Sequence, residues 1–104
     1  MTEVLKKGSV EPLLIGMRDR LDNINTLDDV VGRLFDVRRK SDNVDVQTNG
    51  VWTVDPDHPM TVICVIDTTL VNYTPGDRYK VYLKFTESGI DVIKHVGEFG
   101  VEDD

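Results

Sequence analysis

From Tyr79 to Thr86 polar and apolar side chains alternate without a break: Tyr79, Val81, Leu83 and Phe85 fall on one parity, and Lys80, Tyr82, Lys84 and Thr86 on the other. A period of two over eight positions predicts a β-strand with one face on a core and one in water. Tyr73-Thr74-Pro75-Gly76-Asp77 precedes it with Pro and Gly at the middle positions of a type II turn, and Glu87-Ser88-Gly89 turns the chain after it. In the closing strand Val92, Lys94 and Val96 share one parity and Phe99 and Val101 the other, so a bulge near Gly97 would let both apolar sets reach the core.

The most apolar stretch is Met60–Thr69. Met60, Val62, Ile63, Cys64, Val65 and Ile66 lie within seven positions, with no Gly, Pro or charge before Asp67, which predicts a strand buried on both faces. Before it, Asp55-Pro56-Asp57-His58-Pro59 is a rigid loop, because each proline pushes its predecessor away from helix. Earlier still, Val44 with Val46 and Trp52 with Val54 flank Asn49-Gly50 as a hairpin. A two-residue turn there sends the two apolar sets to opposite faces. A three-residue loop, Thr48-Asn49-Gly50 with Gly50 left-handed, sets Val46 against Trp52 and Val44 against Val54, and this second register is the one predicted.

Residues 13–40 carry two patterns. Leu14, Met17, Leu21 and Ile24 have helical spacing, and Thr26 with Asp29 resembles a capping box ahead of Val30, Val31 and Leu34. Gly16 and Gly32 would each cost such helices about 1 kcal/mol. As strands, Leu13, Ile15 and Met17 alternate, as do Val31, Arg33, Phe35 and Val37, with turns at Asp22-Asn23 and Asp42-Asn43. Residues 1–11 have no core-like period and read as a flexible arm. Residues 12–101 form the domain, and Glu102-Asp103-Asp104 an acidic tail. Strands at roughly ten-residue intervals predict an all-β antiparallel sandwich of about seven short strands; the alternative is an α+β domain with an N-terminal helical pair.

Composition narrows the class. At 104 residues, 39% hydrophobic and 30% charged, the chain suits one globular domain with a single core. No segment approaches the roughly 18–20 apolar residues of a membrane span, and the apolar run near the start, about four residues, is too short for a signal peptide. Cys64 is the only cysteine, so no internal disulfide forms, and within the most apolar strand it reads as a small hydrophobe. The net charge is −7. Residues 1–50 carry eight basic and nine acidic side chains, residues 51–104 four and ten. Duplex binding wants clustered cations, which makes nucleic acid a poor partner. Arg38, Arg39 and Lys40 are the local exception, either a docking patch or a solvated edge.

Pro75-Gly76-Asp77-Arg78-Tyr79-Lys80-Val81-Tyr82-Leu83-Lys84-Phe85, followed by a last strand ending Gly97-Glu98-Phe99-Gly100-Val101, resembles the small immunoglobulin-like virion proteins of tailed bacteriophages. Phe35-Asp36-Val37-Arg38-Arg39-Lys40 and the segment from Pro59-Met60 to Ile66-Asp67-Thr68 look like the preceding strands of the actinobacterial-phage versions. The likeness spans about residues 12–101. It implies an immunoglobulin-like sandwich and favours strands over helices in the N-terminal half. It further implies a non-enzymatic component of a head, head-to-tail joint or baseplate, made in the bacterial cytoplasm, multi-copy in the virion, and touching capsid, portal or tail subunits. Antibody-like domains pair two cysteines across the core, so that subclass is excluded.

Chemical motifs are sparse. Asp55, Asp57 and His58 lie within four positions, and Asp28 with Asp29 would add oxygens, but no second histidine or calcium-loop ladder accompanies them; the expectation is no metal and no cofactor. No Walker loop, dinucleotide fingerprint or nucleophile elbow occurs. Asp67 reads as a strand-end turn residue, His95 as a structural imidazole, and Asn72-Tyr73-Thr74 matches a glycosylation acceptor. The expected contact residues are Lys80, Tyr82 and Lys84 on one strand face, Tyr73 as an exposed aromatic, and Arg38, Arg39 and Lys40. A second reading, a domain that binds a host-surface polymer, requires Trp52, Tyr73 and the Asp55–Pro59 loop to cluster at one end.

Overall fold

A computed structural model describes residues 3–17, 30–87 and 89–103. Eight strands and no helix occur among them: β1 (Glu3–Lys6), β2 (Val10–Gly16), β3 (Val31–Arg39), β4 (Asp45–Val51), β5 (Thr53–Asp55), β6 (His58–Asp67), β7 (Arg78–Glu87) and β8 (Ile90–Glu102). They form two sheets, β1-β8-β7-β3-β4 and β2-β6-β5, packed as a sandwich. The helical pair is not seen in the described part, where Leu13, Ile15 and Met17 alternate into the core as a strand. The helix signals at Leu21, Ile24, Thr26 and Asp29 and the turn at Asp22-Asn23 lie outside the described residues.

In this order β3, β7 and β8 take the places that the C, F and G strands have in an immunoglobulin-type sandwich, and β2, β6 and β5 those of B, E and D. Tyr79, at the start of β7, makes the corner typical of such folds: its hydroxyl accepts the Thr74 N–H at 2.7 Å and donates to the Thr74 carbonyl at 3.3 Å. Two residues on, where antibody domains place a disulfide cysteine, stands the fully buried Val81. Packing does the work of the missing bridge. Tyr73, Tyr79 and Phe99 meet with ring centroids 4.9–6.1 Å apart, while Trp52 stands edge-on to Phe85 at 6.3 Å.

Several expectations hold. Tyr79, Val81, Leu83 and Phe85 are buried. The register of β7 against β8 shifts between Val81↔Gly97 and Tyr82↔His95, so Val96 is the extra residue and Val96, Phe99 and Val101 all face inward. Asp42-Asn43 lies in the β3–β4 turn, with Asn43 at φ 61.

Four expectations are corrected. Residues 3–6 are not an arm: β1 pairs in parallel with β8, and Leu5 is buried. β6 is buried on one face only, because only the five-stranded sheet covers it: Val62, Cys64 and Ile66 are fully buried, whereas Val65 is 46% exposed. Asp55–Pro59 is not a loop: only Pro56 and Asp57 turn the chain between β5 and β6, and Asp55 opposes His58. Finally, Asn49-Gly50 is no hairpin turn. β4 runs through it beside β3, with Gly50 opposite Phe35 and register shifts on either side of Val37. Asn49 takes the left-handed conformation at φ 54, and its N–H is satisfied by Asp36 Oδ1 at 3.0 Å. Trp52 is the single residue between β4 and β5, buried where the chain passes from one sheet to the other.

Candidate protein-contact surfaces

The strand pairings decide which side chains share an outer face. On the five-stranded sheet Lys80, Tyr82 and Lys84 point outward from β7, as alternation requires. Arg38 and Asp36 of β3 lie opposite Lys80 and Tyr82, and Glu98 and His95 of β8 lie opposite the same two on the other side. The expected stripe is therefore one surface, but its charges are engaged. Arg38 lies 4.6 Å from the Tyr82 ring centroid and donates through Nε to Asp45 Oδ1 at 2.9 Å. His95 flanks the same ring at 5.3 Å. Lys80 Nζ lies 6.0 Å from that centroid. Lys84 Nζ binds Asn49 Oδ1 at 2.7 Å and Asp36 Oδ1 at 3.0 Å. Lys40 donates to Glu98 Oε1 at 3.0 Å, and that bond holds the Glu98 carboxyl below its ordinary range. Around Tyr82 this face is a lattice of paired charges, while the row through Lys84 carries the exposed Val51 and Ile93.

Arg39 and Tyr73 do not belong to it. Arg39 has core-side parity, and its guanidinium ties the β3–β4 turn to the β6–β7 loop, bonding Asp42 Oδ2 at 3.1 Å and the Asn72 carbonyl at 2.9 Å, with Asp77 Oδ2 3.5 Å from Nε. The Asp42 bond is the main cause of its raised pKa. Tyr73, expected at the surface, is 1% exposed, because its loop folds back over Phe99 and its hydroxyl donates to Gln47 Oε1 at 2.8 Å. Trp52 is also 1% exposed. Their ring neighbours Tyr79 and Phe85 stand six positions apart on β7, about 20 Å. The clustered aromatic end that polymer binding needs is not formed.

The surface that sequence reasoning missed is the exterior of the three-stranded sheet. Val10, Pro12 and Leu14 of β2 face outward beside Asp67, Val65 and Ile63 of β6. Val10 and Leu14 are each 59% exposed and Val65 is 46% exposed; Pro12 is exposed and Ile63 half-buried. The signal was present in the off-parity apolar residues: Leu14, which also fits the helical spacing with Met17, Leu21 and Ile24, and Val65, which also fits a strand buried on both faces.

Local chemistry is used up in turns. Asp55 Oδ1 accepts the Asp57 N–H at 3.0 Å, and Oδ2 lies 3.3 Å from His58 Nδ1. Among the described residues no three His, Cys, Asp or Glu side chains are grouped to hold a metal; Asp28 and Asp29 lie outside them. Asp67 Oδ1 accepts from both the N–H and the hydroxyl of Thr69, the strand-end turn expected of it. Burial pushes the Cys64 thiol up to about 12, which keeps it protonated and unreactive.

No family model, curated protein or solved structure compared with this chain gives a match.

Proposed function

We propose that this chain is a non-enzymatic structural module of a tailed-phage virion that works by burying its outer surfaces against other subunits in a multi-copy assembly. The observation that carries the contact reading is the apolar exterior of the three-stranded sheet, where Val10, Leu14 and Val65 stand exposed side by side. A sheet face that stays in water is ordinarily polar at these positions, and a contiguous aliphatic patch favours a face that is covered in use. One such patch is small. Many identical copies held together gain strength through multivalency.

The resemblance at Pro75–Phe85 and Gly97–Val101 supports a virion as that assembly, as head decoration, head-to-tail joint or baseplate, with capsid, portal or tail subunits as neighbours. Mass spectrometry of purified particles tests it. The chain is expected at a fixed stoichiometry in particles; its recovery only from the particle-free lysate contradicts the reading.

A further inference from the structure

β1 is a weakly anchored edge strand of the sandwich. It has four residues, pairs only with β8, and does so in parallel, the weaker of the two ladders. Leu5 is its one buried side chain. The ion pair at its end, Lys6 with Glu102, has both partners about half exposed, so water and salt weaken it. Its link to β2 is Lys7-Gly8-Ser9, with Gly8 at φ 90 and nothing within 4 Å of where a Cβ would stand. β1 lies in one sheet and β2 in the other, so a rotation at this link lifts β1 away without disturbing β2.

Exposed bonds at the link oppose that rotation weakly: Lys7 N–H to the Glu102 carbonyl, Lys7 Nζ to the Leu70 carbonyl and Ser9 Oγ to the Lys6 carbonyl. One buried hydroxyl opposes it more firmly. Thr68 is fully buried, and its Oγ1 lies 2.7 Å from the Lys6 carbonyl and 2.8 Å from the Ser9 carbonyl while accepting the Ser9 N–H at 3.0 Å. It grips both sides of the Gly8 hinge at once. The Thr68 N–H adds a bond to the Ser9 carbonyl at 2.9 Å.

We infer that β1 is an exchangeable strand: it seats on β8 of its own chain when copies are dilute and on β8 of a second copy when copies are crowded, with Thr68 as the latch that favours the closed form. The occupant of the vacated seat is fixed by the fold, since a neighbour's β1 presents the same Leu5 and the same register to Phe99–Glu102. A short tether gives the intrachain strand an effective concentration on the order of millimolar, so exchange competes only where an assembly brings copies to similar densities. From Lys6 to Val10 the extended link spans at most about 14 Å, which requires the two β8 edges to lie side by side. Exchange needs only the sandwich and a second copy, so its failure would leave the structural-module reading standing.

The test uses the full chain in two forms, one with Lys6→Cys and one with Glu102→Cys, differently tagged and mixed under mild oxidation. Residues 6 and 102 are register partners, so a disulfide between the two forms reports β1 of one chain on β8 of the other. An Asp91→Cys form, eleven positions away on β8, is the out-of-register control. The expected result is a mixed disulfide several-fold above that control, rising between micromolar and millimolar protein. Thr68→Val should raise the yield at least threefold and Thr68→Ser restore it. A yield equal to the control at every concentration, with the latch intact, overturns exchange. A yield indifferent to Thr68→Val in a variant that still folds overturns the latch.

Discussion

The Tyr73 hydroxyl donates to Gln47 Oε1 at 2.8 Å, and that single amide seals an open edge. β5 covers β6 only as far as Ile63. Beyond it, Gln47 Nε2 donates to the Val65 carbonyl at 3.2 Å and Oε1 accepts the Asp67 N–H at 3.3 Å. A side chain from the five-stranded sheet thus substitutes for the missing length of β5 and ties the sheets together. Gln47→Leu leaves three groups without partners and is expected to cost about 2–3 kcal/mol in urea unfolding. Tyr73→Phe should cost about 1 kcal/mol, and the two together less than the sum, because they share one bond.

Gly50 is required by Phe35. A Cβ at Gly50 would stand well inside van der Waals distance of Phe35 Cε1, because the ring lies across its cross-strand partner. Gly50→Ala is expected to destabilise by about 1–3 kcal/mol, by forcing the ring or the strand to shift. Trimming the ring with Phe35→Leu should make the alanine nearly neutral in that background, a rescue that a double-mutant cycle measures directly.

Charge reversal separates Lys80 from Lys84. Lys84 pairs with Asp36, which is 7% exposed, so Lys84→Glu sets two carboxylates against each other and is expected to lower stability by about 1–3 kcal/mol. Lys80→Glu should change it by less than about 0.5 kcal/mol. Equal effects from the two would refute the pairing.

Much of this architecture is legible in the residues. The alternation from Tyr79 to Phe85, the bulge beside Gly97 and the burial of Cys64 all follow from parity and turn chemistry, which are local. What the sequence hides is set by distant partners. Asn49-Gly50 has the chemistry of a hairpin turn, yet Gly50 serves the Phe35 ring and Asn49 forms a bulge closed by Asp36. Tyr73 reads as an exposed loop aromatic until Gln47, 26 residues earlier, gives its hydroxyl a buried partner. β1 lacks any core-like period because four residues with one inward side chain cannot display one. The apolar outer face was only partly readable: Leu14 and Val65 are apolar on the outward parity, but a run such as Val62–Ile66 looks the same whether one side is covered or both.

Alkaline pH gives a further check. The Cys64 thiol moves from an ordinary 9.0 to about 12 on burial, and desolvation raises the Tyr73 phenol as well. Both groups hold their protons more tightly when folded, so their stabilisation is complete below the unfolded values and is lost as pH climbs toward the folded ones. Unfolding free energy is expected to fall from about pH 9 to 12, Cys64 contributing at most about 1.4 kcal/mol per pH unit. Cys64→Val should flatten that part of the profile.

The decisive measurement is incorporation of Leu14→Asp with Val65→Asp. Both side chains point away from the core, so strand content by circular dichroism and the urea midpoint should match the parent. Recovery in purified particles should fall at least tenfold. A folded double variant that enters particles as well as the parent would contradict the claim that this sandwich acts through the apolar outside of its smaller sheet.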